Sequence, residues 1–96
     1  MASAKSHADT VLDGTKTTYY SSSSEGGAGP LGWDFIPSVA ADLFVTGGFF
    51  DATAIRVQAG ETYTIFDPGR EVTLIEANKK TGEADGTFIL RPVASS

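Results

Sequence analysis

Thr53-Ala54-Ile55-Arg56-Val57-Gln58-Ala59-Gly60-Glu61-Thr62-Tyr63-Thr64-Ile65-Phe66 is the stretch that decides the fold class. Successive side chains of an extended chain point to opposite faces. Ile55 and Val57 therefore share one face, with Ala54, Arg56 and Gln58 on the other. In the second half Tyr63 and Ile65 lie opposite Thr62 and Thr64. A period of two, broken at Ala59-Gly60, predicts two half-buried strands joined as a hairpin through a two-residue turn.

The flanking sequence repeats the pattern. Upstream, Asp42-Leu43-Phe44-Val45-Thr46 is a strand stopped by Gly47-Gly48. Downstream, Asp67-Pro68-Gly69-Arg70 is a turn, because Pro68 presets φ at about −65° and Gly69 accepts positive φ. Glu71–Glu76 and Thr87–Arg91 read as further strands, separated by the polar, glycine-bounded loop 78–86. Leu31–Pro37 is apolar without strict alternation, which fits an edge strand or a plug at one end of the core. Trp33 and Phe35 within it are expected to fill the core, since a small domain needs its aromatics inside. No window of 11 or more residues carries helical spacing of apolar side chains. The expected fold is all-β, a small β-sandwich or barrel of short antiparallel strands.

Large apolar residues are unevenly placed, and only they offset the entropy of ordering a chain. Residues 31–93 hold 21 Val, Ile, Leu, Phe and Trp, whereas residues 1–30 hold only Val11 and Leu12. Ser21–Pro30 has the composition of a linker. The division expected is an extended or flexible N-terminal arm with its Ser/Gly-rich linker over 1–30, and a β-domain over 31–96. Within the arm, Thr15–Tyr20 is β-prone and suited to pairing with a sheet edge, its own or a neighbour's.

Composition excludes several functions. Twelve acidic against seven basic residues give a net charge of −5, which opposes binding to a phosphate backbone, so no nucleic acid is expected as partner. No apolar run approaches the roughly 20 residues of a spanning helix, and no membrane association is expected. There is no cysteine, and His7 is the lone histidine, expected to be solvated. Neither a thiolate site nor a nucleophile and base pair is available. Asp67 with Glu71, and Glu83 with Asp85, sit in or beside turns where solvent keeps carboxylates near their reference behaviour. Glu83-Ala84-Asp85-Gly86 lacks the further oxygens a calcium site needs. No catalytic residues, metal or cofactor are expected, and the chain is not expected to be an enzyme.

The remaining oddity is Phe49-Phe50. Neighbouring extended residues point to opposite faces, so one sheet face cannot bury both. One is exposed or covered by something else, which makes Phe49 and Phe50 candidates for a subunit interface.

A small, acidic, cysteine-free all-β chain with a sparse N-terminal arm, and with Val57–Phe66 in the middle of short strands, resembles the minor virion proteins of tailed bacteriophages, most of all the head decoration (cement) proteins. The resemblance implies a compact β-domain, often trimeric, which together with an extended N-terminal arm binds the major capsid protein or another virion protein and reinforces the shell. It places the chain in the virion, as a homo-oligomer with the trimer favoured. No binding residue is carried over from that family; the candidate interface residues of this chain are Tyr19, Tyr20, Trp33, Phe49 and Phe50. A neck, tail or fibre-base component is a close variant. The alternative is a carbohydrate- or receptor-binding β-sandwich in which Trp33, Tyr19, Tyr20 or Tyr63 forms a stacking surface.

Overall fold

Ala41–Gly47 carries the alternation in its plainest form, with Ala41, Leu43 and Val45 buried and Asp42, Phe44 and Thr46 only partly so. Eight further strands accompany it in the computed structural model, which describes residues 7–21, 32–67, 69 and 71–93. In chain order they are β1 (His7–Leu12), β2 (Thr17–Ser21), β3 (Gly32–Pro37), β4 (Ala41–Gly47), β5 (Phe50–Asp51), β6 (Ile55–Val57), β7 (Tyr63–Phe66), β8 (Val72–Lys79) and β9 (Gly86–Val93). No described residue is helical.

The strands form two antiparallel sheets. One has the order β1-β9-β3-β7; the other has β2-β8-β4-β5, with β6 also pairing β4. Trp33, Phe35, Ile65, Phe88 and Leu90 from the first pack against Leu43, Val45, Val57, Ile75 and Ala77 from the second. Each large side chain removed from water in this way contributes roughly 1.5–3 kcal/mol. The all-β sandwich expected from the alternation is the observed architecture.

Three expectations are corrected. The stretch β6–β7 is not a hairpin: β6 pairs β4 through Ala41↔Val57 and Leu43↔Ile55, whereas β7 pairs β3 through Gly32↔Phe66 and Phe35↔Tyr63. The chain crosses between sheets over residues 58–62, where the Gly60 N–H donates to the Pro37 carbonyl at 2.8 Å. An arch and a hairpin bury the same alternating residues, so alternation alone does not separate them. Second, Gly32–Pro37 is no edge strand, because it lies between β9 and β7 with both flanks paired.

Third, the described part of the stretch read as an arm, residues 7–21, belongs to the sandwich. β1 pairs β9 and β2 pairs β8 of the same chain. Leu12 is fully buried and Tyr20 nearly so. Residues 1–6 and 22–31 of that stretch lie outside the described residues. The register of β2 shifts between Thr18 and Tyr20, which pair with the neighbouring residues Glu76 and Ile75, so Tyr19 is the extra residue of a bulge. Such a bulge lets Tyr19 and Tyr20 both turn toward the core, which strict alternation forbids.

Candidate functional site

Of the five predicted interface residues, two are core. Trp33 has no exposed surface and Tyr20 is 3% exposed. Their rings meet across the two sheets at 4.9 Å between centroids. The indole N–H of Trp33 is buried without an acceptor. Tyr19 is half-buried, with its ring edge-on to Phe88 at 4.5 Å and its hydroxyl donating to the Val11 carbonyl at 3.2 Å. Burial raises its pKa above the ordinary tyrosine value. Tyr63 is packed against the core as well. The aromatic stacking surface needed by a carbohydrate-binding reading is thus turned inward.

Phe49 and Phe50 divide as the alternation argument requires. Gly47 and Phe50 are paired partners in β4 and β5, leaving Gly48-Phe49 as a two-residue hairpin loop. Gly48 has φ +62°, and a positive φ at the first central residue is the signature of a twist-compatible hairpin turn. Phe50 packs against the core, while Phe49 at the tip is 88% exposed. Beyond β5, Ala52 takes φ +68° and its N–H donates to the Val45 carbonyl, so the edge bends before β6 resumes pairing. There the Thr53 side chain and N–H hold the Asp51 carboxylate below its ordinary pKa.

The hairpin is seated on the β7–β8 turn. Gly47, at φ +108°, approaches so closely that an added Cβ would meet the Glu71 carbonyl oxygen and the Thr73 nitrogen. Beneath Gly48 lies Asp67, whose carboxylate is 3% exposed and accepts the N–H groups of Glu71 and Val72, each at 2.9 Å. Asp67 is therefore no solvated turn carboxylate, contrary to the expectation; two backbone donors replace its water. Pairing with Glu71 as acid and base is not what this geometry offers.

A second exposed aromatic was missed by the sequence reading. Phe66 is 65% exposed and stands opposite Gly32 at the end of β7. Its signal was available: it falls on the threonine face of Tyr63–Phe66, away from Tyr63 and Ile65. Phe66 precedes Asp67, and Asp67 lies beside Gly48, which precedes Phe49. Both exposed rings therefore belong to one end of the sandwich.

Catalytic groupings do not assemble. Among the described residues no three of His, Cys, Asp and Glu come together as metal ligands, and none forms a helix long and apolar enough to cross a membrane. The His7 side chain lies outside the described residues. Asp85 is exposed, and its carboxylate is ion-paired with the Lys79 ammonium at 2.7 Å. What the arrangement provides is a contact surface: two phenylalanine rings in water, held on paired backbone. Compared with known proteins, the chain matches no family model, no curated protein and no solved structure.

Proposed function

We propose that the chain is a non-catalytic structural protein that attaches to a protein shell, in the manner of a virion decoration protein, and that it docks through the end of the sandwich bearing Phe49 and Phe66. The observation that carries this reading is the 88% exposure of Phe49 on a hairpin whose backbone is fixed by Gly47 and Asp67. A rigidly presented aromatic loses little entropy on docking, and rings of this kind act as anchors in interface pockets. Attachment is assigned to this end because the described part of the N-terminal stretch is occupied within its own sandwich.

Burying one such ring on a partner contributes roughly 1.5–3 kcal/mol, so a single copy binds weakly. Copies joined around a symmetry axis, a trimer being favoured, engage a repeating shell together and gain avidity through effective concentration. The acidic surface keeps the free protein soluble and off packaged nucleic acid.

On this reading the partner is the shell of a phage that encodes the chain, and co-sedimentation with such purified shells tests it. The native protein is expected to pellet with shells, and Phe49→Ser with Phe66→Ser is expected to lower the bound fraction at least tenfold while leaving the melting temperature within about 2 °C. Unchanged binding of the double variant, or no binding of the native protein, overturns the proposal.

A further inference from the structure

Residues 7–21 are a separable insert in an otherwise continuous sandwich. β1 and β2 are edge strands, one on each sheet, and each pairs a single neighbour, β9 and β8. Without them each sheet keeps its remaining strands, β9-β3-β7 in one and β8-β4 with β5 and β6 in the other. The two acceptor edges are consecutive in the chain, so together they form one slot. The insert fills it with Leu12 and Tyr20, and it is fixed at its bend by the Lys79 N–H donating to the Asp13 carbonyl at 2.8 Å.

Residues 22–31, six of ten being Ser or Gly, connect this insert to β3. No other connection between strands exceeds six residues. Ten residues reach on the order of 35 Å at full extension, more than the 24 Å and 22 Å shorter extents of the molecule. We infer that residues 7–21 exchange between copies, the insert of one chain occupying the β8/β9 slot of a second copy in a strand-swapped assembly.

The occupant is a second copy because the slot is already shaped to this sequence. Every pairing in it, Thr10↔Phe88 and Tyr20↔Ile75 among them, is reproduced unchanged when the insert comes from another chain. Closed and swapped forms then differ chiefly in the connection and in the entropy of association. For connections of this length and composition the effective concentration of the chain's own insert is in the millimolar range. Swapping is therefore rare in dilute solution and common where copies are crowded to millimolar local concentration, as on a surface. This inference does not depend on what the exposed phenylalanines bind.

The test uses the absence of native cysteine. Thr18 and Glu76 are cross-strand partners whose side chains meet at 3.5 Å. The full chain carrying Thr18→Cys and Glu76→Cys is unfolded under reducing conditions, refolded at a series of concentrations and then oxidised. At about 10 μM the bond is expected within one chain. At about 2 mM at least a third of the protein is expected as dimer or closed oligomer in which position 18 of one chain is bonded to position 76 of another and no free thiol remains, a linkage that neither single variant can form. The unsubstituted chain, refolded in the same series and sized by light scattering, is expected to form oligomers over the same concentration range, which shows that the substitutions do not create them. Monomer alone in that sizing up to several millimolar, or disulfides that stay within one chain throughout, overturns the inference.

Discussion

The ring of Tyr20 meets the indole of Trp33 at 4.9 Å and 57°, joining β2 of one sheet to β3 of the other. The contact explains how a stretch poor in large aliphatic residues is still held in the core. Tyr20→Ala removes a nearly fully buried ring and is expected to cost about 3–4 kcal/mol, a large share of the total stability of a domain this size. Trp33→Phe also shrinks the core, but it deletes a buried N–H that has no acceptor, and the two effects offset to within about 1 kcal/mol. Urea unfolding of both variants checks the contrast. Native Trp33 emission is expected to be blue-shifted and unaffected by acrylamide or by added glycans.

Gly47 and Gly60 both have positive φ, yet they differ in what surrounds them. A Cβ on Gly47 would collide with the backbone of β8 and the residue before it, whereas one on Gly60 meets nothing within 4 Å. Gly60→Ala therefore incurs only the left-handed backbone penalty, about 1–2 kcal/mol. Gly47→Ala must also push β4 from β8, and at least about 3 kcal/mol is expected. Thermal melts are expected to separate the two, with Gly47→Ala lower than native by about 15 °C or more.

The strands of the body are legible because they are half-buried, which writes a period of two directly into Ile55–Val57 and Tyr63–Ile65. Their partners are not, since Ile55 and Val57 face the core equally well whether the chain turns back in plane or arches to the opposite sheet. That choice is made by Ala41 and Leu43, more than ten residues away in sequence. The insert was misread for a different reason. Its anchors are tyrosines and one leucine, and the bulge at Thr18/Tyr20 presents two neighbouring rings inward. At Phe49-Phe50 the steric argument was purely local, and the division into one packed and one exposed ring follows from it.

Tyr19 gives the sandwich an alkaline limit. Its folded pKa is raised by burial above the ordinary 10.0, so the unfolded chain loses this proton first. The corresponding stability is complete below about pH 10 and is lost as pH rises through the folded value. Between about pH 9 and 11 the unfolding free energy is expected to fall, and Tyr19→Phe is expected to reduce that fall. The same variant gives up the hydroxyl bond to the Val11 carbonyl, about 1 kcal/mol at neutral pH. Urea titrations at the two pH values separate these effects.

Asp67 links the stability of the β7–β8 turn to the posture of Phe49. Its carboxylate satisfies two backbone donors out of water, so Asp67→Ala leaves the Glu71 and Val72 N–H groups unpaired and is expected to cost about 3 kcal/mol. Asp67→Asn keeps the shape but turns an NH₂ group toward one of those donors, and about 2 kcal/mol is expected. Because Gly48 rests against this carboxylate, loosening it frees the hairpin tip as well. Amide exchange at Leu90, which opens only with the whole sandwich, is expected to quicken by the factor the global loss sets, whereas Glu71, Val72, Phe49 and Phe50 are expected to quicken further through local opening. Uniform acceleration across all strands would instead place Asp67 in the global stability of the sandwich, with no particular hold on the Phe49 end.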